Sequence, residues 1–197
     1  MIHTLILAGG NSARMGTPKA LLDYNGKTFA EAVCDSVEKA GINRITLVAG
    51  VHAEEITDTL SGRANCHIVV NPNPDEGMIS SVRTGLRAVG DVSEAVIISL
   101  VDQPFIPSCI YHELVRTWMM SNADVVIPRY NGKRGHPILL AKKVWPLCFT
   151  GPADLGLHWV THHPSVKALD VDVECEFVVK DVDTPADYRS LVEAFRD

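Results

Sequence analysis

At 197 residues the chain is long enough for one α/β domain and short for two, so a single domain over residues 1–197 is expected. Hydrophobic residues make up 46% and charged residues 21%, which favours neither a disordered chain nor a membrane class. The formal net charge of −6 argues against a general nucleic-acid binder, because phosphate backbones are gripped by clustered Lys and Arg, although a local basic loop can still hold one nucleotide.

The apolar start, Ile2 to Ala8, is interrupted by His3 and Thr4, lacks a basic leader and runs directly into glycines. It is predicted to be a strand (Thr4 to Ala8) rather than a signal peptide. No apolar run approaches the roughly 20 residues of a spanning helix, so a cytoplasmic protein with no membrane partner is expected. Phe29, Val33, Val37 and Ala40 repeat at helical spacing and Gly41 stops them, which predicts an amphipathic helix over 29–40. A strand Ile45 to Ala49, a short helix around Glu54 to Leu60 and a strand His67 to Val70 follow, the last closed by Asn71-Pro72-Asn73-Pro74. Ser80 is placed to cap a helix through Val89, with Val82, Leu86 and Val89 inward. Ala95 to Val101 is a continuous apolar run, as expected of a strand buried on both faces. A helix from about Pro107 to Met120 leads to a strand Asp124 to Pro128. Asn131-Gly132 then signals a two-residue hairpin, so Arg129 to Leu140 is predicted to leave the α/β pattern as a β-excursion. The tail after Lys142 reads as two short helices, a strand near Glu176 to Lys180 and a final helix from Pro185 to Phe195. This alternation predicts one α/β domain: a mostly parallel, Rossmann-like sheet with helices on both faces and a β-hairpin excursion.

The cysteines Cys34, Cys66, Cys109, Cys148 and Cys175 are scattered with no C-x-x-C pair. Neither a disulfide framework nor a zinc site is suggested, and free or buried thiols in a reducing compartment are expected. Chemistry is instead concentrated after the first strand, in Leu7-Ala8-Gly9-Gly10-Asn11-Ser12-Ala13-Arg14-Met15-Gly16-Thr17-Pro18-Lys19. In an open α/β sheet ligands sit beyond the carboxyl ends of the strands, where this loop lies. Glycines let backbone N–H groups approach phosphate oxygens, and Arg14 and Lys19 add two cationic heads. The spacing is neither that of a Walker loop nor G-x-G-x-x-G.

Asp102 ends the apolar strand, where an unpaired carboxylate is costly to bury, so it should point into the crevice and suits Mg²⁺; the alternative is a turn-forming Asp before Gln103-Pro104. At the last helix Thr184 can be the cap, with Pro185 at the first position and Asp187 completing a variant capping box, which leaves Asp183 free. Gly77 to Ser81 is either a plain helix entry or a place where a nucleotide approaches a helix N-terminus. Arg83 either forms a surface salt bridge or reaches substrate. Arg134 and His136 stand two apart on the returning arm of the hairpin and so share a face. His3, His52, His67, His162 and His163 are read as structural.

LAGGNSARMGTPK resembles the signature loop of the MobA-like nucleotidyltransferases, where it wraps the triphosphate of the incoming nucleotide. Three further pieces extend the resemblance over almost the whole chain. Asn71-Pro72 with Gly77-Met78-Ile79-Ser80-Ser81 resembles the segment flanking base and ribose. Val101-Asp102-Gln103-Pro104 resembles the metal-binding turn. Arg134-Gly135-His136-Pro137 and Asp181-Val182-Asp183-Thr184-Pro185 resemble the two C-terminal motifs. The cytidylyltransferases acting on molybdopterin are the most similar branch.

The resemblance implies a fold like the nucleotide-diphospho-sugar transferases and a Mg²⁺-dependent transfer of CMP or GMP from CTP or GTP to the phosphate of a molybdopterin-type acceptor. Leu7, Ala8, Gly9, Gly10, Arg14, Lys19, Asn71, Gly77, Met78, Ser80 and Ser81 would bind the nucleotide. Arg14, Lys19 and Asp102 would be catalytic, and Asp102 and Asp183 would hold Mg²⁺, with Asp181 the competitor for the second place. Arg134 and His136 would face the acceptor. Ala8-Gly9-Gly10 has the form typical of guanylyltransferases, whereas the Gly77-Met78 segment and Arg134-Gly135-His136-Pro137 resemble the cytidylyl side; two motifs against one favour CTP. A molybdoenzyme or its chaperone is the implied protein partner, and no nucleic acid or membrane is. The rivals are the same chemistry on a sugar or polyol phosphate, and a nucleotide- or cofactor-binding accessory protein without turnover.

Overall fold

The computed structural model of the chain describes residues 1–10 and 15–193. Arg14 lies outside the described residues, as do Asn11, Ser12, Ala13 and the end of the expected final helix. In chain order the elements are β1 (Ile2–Ala8), β2 (Asp23–Tyr24), β3 (Lys27–Thr28), α1 (Phe29–Lys39), β4 (Ile45–Ala49), α2 (Ala53–Leu60), β5 (Cys66–Val70), α3 (Met78–Val89), β6 (Ala95–Leu100), α4 (Ser108–Met120), β7 (Val125–Tyr130), β8 (Lys133–Arg134), β9 (Ile138–Ala141), α5 (Trp145–Thr150), α6 (Gly156–Thr161), β10 (Ala168–Asp172) and α7 (Pro185–Glu193).

The main sheet runs β10, β7, β9, β6, β1, β4, β5. β1 pairs in parallel with β4 and β6, β4 with β5, and β7 with β10, while β9 runs antiparallel between β6 and β7. After β1 the chain builds to one side through β4 and β5, then returns to build on the other side from β6. The loops after β1 and β6 therefore diverge, and the gap at their carboxyl ends is the natural ligand crevice of such a sheet.

The apolar runs of β1 and β6 are continuous because both faces are covered. Ile6 and Ile97 pack under α1 and α4, against Phe29, Val33, Tyr111 and Leu114. Their neighbours Leu5, Leu7, Val96 and Ile98 face α3, α5 and α6, against Val82, Leu86, Trp145 and Val160. Each such fully buried side chain contributes about 1.5 to 3 kcal/mol relative to exposure, so the two strands at the crevice are firmly anchored. α1 begins with a capping box in which the Thr28 hydroxyl accepts from Glu31 N and the Glu31 carboxylate accepts from Thr28 N.

Asn131 and Gly132 carry φ of 48° and 78°, two positive values in a row, as a type I′ turn requires. The hairpin expected over 129–140 is present at its tip, where β8 pairs with β7. Its returning arm then enters the main sheet as β9, so the excursion also supplies the sheet's antiparallel strand. A second hairpin, β2 with β3, surrounds Asn25-Gly26, the same two-residue signal, which the sequence reading did not use.

Two expectations are corrected. Ser80 does not cap a helix: the cap lies three residues earlier, at Gly77, and the Ser80 hydroxyl is turned inward. Glu176 to Lys180 is not a strand but a 3₁₀ turn over Glu176–Val179, because its backbone is held by the sheet's rim rather than by a neighbouring strand. The strand of the C-terminal tail is instead β10, at the sheet edge beside β7. Among the described residues no helix is long and apolar enough to cross a membrane.

Candidate active site

The crevice between β1 and β6 gathers charge from three distant segments. Lys19 opens a 3₁₀ turn (Lys19–Leu21) after the glycine loop, Asp102 follows β6, and Asp183 precedes α7. Lys19 Nζ donates to Asp102 Oδ2 at 2.8 Å and to Asp183 Oδ1 at 2.6 Å. Burial works against the Lys19 charge, but its hydrogen bonds to Asp102 and Asp183 outweigh that and hold the ammonium above the ordinary lysine value.

Asp183 is available because the helix start behind it is satisfied without it. Thr184 N donates to Asp187 Oδ2 at 2.8 Å, and Asp187 N donates to Thr184 Oγ1 at 3.2 Å, the reciprocal pair expected from Thr184 and Asp187. Asp181 is engaged elsewhere, accepting from Gln103 Nε2 at 2.7 Å. Burial first, and then the nearby Asp102 charge, push the Asp181 carboxyl above the usual aspartate range, with the Gln103 hydrogen bond opposing them.

Two carboxylate oxygens converging on one ammonium make a place where a single cation is held from two sides. Among the described residues no group of three or more His, Cys, Asp or Glu could hold a metal. A pair of carboxylates is nevertheless the donor set Mg²⁺ accepts, since it keeps several waters and completes its shell with substrate phosphate oxygens. The residues present therefore fit Mg²⁺ or a similar hard divalent ion.

Asn71, Ser80 and Ser81 are brought together but face one another. Asn71 Nδ2 donates to Ser80 Oγ at 2.7 Å and Ser81 Oγ at 3.0 Å, and Asn71 Oδ1 accepts from Asn73 N at 3.0 Å. All three side chains are buried, so they brace the chain's entry into α3. Ser81 also closes on the glycine loop: a Cβ on Gly9 would stand 2.8 Å from Ser81 Oγ. Arg83 makes no salt bridge among the described residues. Its Nε and Nη2 each donate at 2.8 Å, to the carbonyls of Cys148 and Gly151, tying α3 to the carboxyl end of α5.

A cavity of about 680 Å³ has walls that include Gly77, Met78, Arg134, His136, His158 and His162. Arg134 and His136 do line one space, but differently. Arg134 Nε pairs with Asp170 Oδ1 at 2.8 Å, and its Nη1 donates to His162 Nε2 at 3.3 Å. His136 is largely enclosed, its Nε2 has no hydrogen-bond partner among the described residues, and burial pushes its imidazole pKa down to about 4. His162, read from sequence as structural, belongs to this wall, stacked on His158 at 3.8 Å between ring centroids. Because a guanidinium can only donate, His162 Nε2 must accept, which places its proton on Nδ1, 3.1 Å from the His158 carbonyl. The i, i+4 spacing of His158 on α6 and His162 at its carboxyl-terminal cap was the sequence signal for the pair. Asp170 had no signal until β10 was known to pair with β7.

Residues 4–166 match the family model described as the MobA-like NTP transferase domain. Over its whole length the chain is 27% identical to the molybdenum cofactor cytidylyltransferase of Escherichia coli, covering 98% of that protein. It is 29% identical to the nicotine blue oxidoreductase of Paenarthrobacter nicotinovorans, over 91% of each chain. Among solved structures, Rv0371c of Mycobacterium tuberculosis superposes with a TM-score of 0.86 at 27% identity, covering 98% of this chain and 97% of that one; the same protein has also been solved as a manganese complex.

Proposed function

Since the chain belongs to the MobA-like NTP transferase family and is a nucleotidyltransferase, we propose that it transfers CMP from CTP, in preference to GMP from GTP, to the terminal phosphate of a molybdopterin-type acceptor. The observation that carries this assignment is the convergence of Lys19, Asp102 and Asp183 at the divergence of the loops after β1 and β6. In such a transfer an acceptor phosphate oxygen bonds to the α-phosphorus, the bond from α-phosphorus to the bridging oxygen breaks, and pyrophosphate leaves with the electron pair. The attacking oxygen is already anionic, so no general base is required.

The chain's part is positioning and charge neutralisation. Lys19 offers its ammonium to the triphosphate, with Arg14 as the second cation of the same loop. Asp102 and Asp183 would hold Mg²⁺, which when bound supplies charge neutralisation on the phosphate oxygens. Gly77 and Met78 border both the start of α3 and the large cavity, which suits a site where nucleotide and acceptor meet. Arg134, with His158 and His162 beside it, presents donors to an anionic acceptor, and the apolar walls accommodate a planar ring. The lack of a side chain at Gly9 is explained by the closeness of Ser81, so it does not by itself argue for guanine over cytosine. The dinucleotide product would pass to a molybdoenzyme or its chaperone.

Pyrophosphate release, measured with CTP or GTP, Mg²⁺ and molybdopterin, a sugar phosphate or a polyol phosphate, tests the proposal. Release is expected to depend on molybdopterin and to be faster with CTP. Release driven by a sugar or polyol phosphate would overturn the acceptor, and turnover without pyrophosphate would overturn the chemistry.

A further inference from the structure

The two motifs that the proposed reaction uses separately, the turn after β6 and the returning arm of the hairpin, are joined through one short segment. Val178 O accepts from His136 N at 2.9 Å and lies 3.4 Å from Gln103 Nε2. Gly135 passes so close that a Cβ on it would stand 1.9 Å from that same oxygen. Three residues on, Asp181 accepts from Gln103 Nε2 at 2.7 Å, and Val182 N donates to Asp102 O at 2.9 Å. Between the 3₁₀ turn ending at Val179 and the start of α7, residues 180–184 have no ladder or helix of their own. Their path is set by these bonds, and Asp183 is the next residue but one after Asp181.

We propose that Gln103 is a positioning residue for the metal centre: through Asp181 it clamps segment 178–183 so that the Asp183 carboxylate faces Asp102. The inference rests on the metal assignment made for Asp102 and Asp183 above. Gln103 is only 3% exposed, so its amide is committed to this one task and has no access to substrate. Among the described residues its Oε1 has no hydrogen-bond partner, which leaves the Nε2 donor as the polar function the fold retains. Asp181 in this account is an anchor and not a ligand. Its oxygen is needed as an acceptor, whereas its charge is not.

Those two roles separate cleanly by substitution. Asp181→Asn keeps an acceptor oxygen for Gln103 and removes the charge, whereas Asp181→Leu removes both. Gln103→Met preserves volume and removes the donor. Mn²⁺ binding is measured by electron paramagnetic resonance in the presence of CTP and absence of acceptor, with thermal melts and circular dichroism confirming the fold of each variant. Asp181→Asn is expected to bind Mn²⁺ like the wild type, while Gln103→Met and Asp181→Leu each weaken it about tenfold, the upper end of what one neutral hydrogen bond contributes. The double variant should be no weaker than either single one, because both break the same link. Wild-type binding by Gln103→Met and Asp181→Leu would overturn the clamp and leave the metal assignment intact. Loss in Asp181→Asn as severe as in Asp102→Asn would make Asp181 a ligand and overturn it too. Binding that is indifferent to Asp102→Asn would overturn the metal assignment itself, and the clamp with it.

Discussion

Lys19→Met removes the ammonium that stands between Asp102 and Asp183, and its effect follows from how that ammonium is held. The bond to Asp102 joins side chains 15% and 23% exposed, and a partly buried charge-assisted hydrogen bond contributes about 1.5 kcal/mol. The Asp183 carboxylate is 40% exposed, so screening by water reduces its share to about 0.5 kcal/mol. Together they give about 2 kcal/mol, which in a chain of this size lowers the melting temperature by roughly 4 to 8 °C. The same 2 kcal/mol opposes any divalent ion that must displace the ammonium from the two carboxylates. Without nucleotide, the variant is therefore expected to bind Mn²⁺ up to about thirtyfold more tightly than the wild type. Added Mg²⁺ should restore the lost melting temperature by mass action. Triphosphate affinity should fall at the same time, since the phosphate cation is gone. Calorimetry with Mn²⁺ and melts with and without Mg²⁺ provide the assay. A variant whose Mn²⁺ affinity is unchanged or lower, and whose melting temperature ignores Mg²⁺, would refute the idea that lysine and metal share the carboxylates.

Asp102→Asn and Asp183→Asn should keep the fold and lose most turnover, because a neutral amide ligates Mg²⁺ poorly; near wild-type rates of pyrophosphate release would contradict this. Arg134→Ala should raise KM for the acceptor with little change in NTP affinity, and it should also lower the melting temperature slightly through the lost pair with Asp170; equal losses for both substrates in steady-state kinetics would count against an acceptor wall. His136 gives a pH dependence with a definite sign. Burial holds its folded value near 4, below the ordinary 6.5, so the unfolded chain takes up the proton first as pH falls. Its contribution is intact above pH 6.5 and declines between 6.5 and 4 by up to about 3 kcal/mol. Melting temperatures of the wild type and His136→Gln across that range should converge as pH falls, and parallel profiles would contradict it.

Much of this architecture was legible because local and tertiary demands agree. The continuous apolar runs of β1 and β6 fit strands covered on both faces, and Thr184 with Asp187 caps α7 as their spacing implied. Asn131-Gly132 fixed a hairpin whose backbone needs two positive φ values. Where the sequence misled, a distant partner decided. Glu176 to Lys180 has strand composition, but its backbone is taken by His136 N and by its own turn, so it cannot join a ladder. Ala168–Asp172 pairs as an edge strand despite an acidic, half-exposed face, because Arg129 and Arg134 on β7 and β8 lie beside Asp170 and Asp172. Asn71, Ser80 and Ser81 carry polar groups suited to a ligand, yet each finds its partner in the others. Lys19, Asp102 and Asp183 were each legible singly. Their meeting at one point depends on the reversal of strand order at β1, which no local pattern states.

The central claim is a transfer of nucleotide to an acceptor phosphate, and CTP labelled at the α-phosphate tests it most directly. Incubated with the protein, Mg²⁺ and molybdopterin, the label is expected to appear in a product whose mass equals the acceptor plus CMP minus water, with one pyrophosphate released per product formed. Wild-type protein should do this and Asp102→Asn should not. Label recovered only as CTP or free CMP, or an acceptor whose mass changes without gaining the label, would contradict the account.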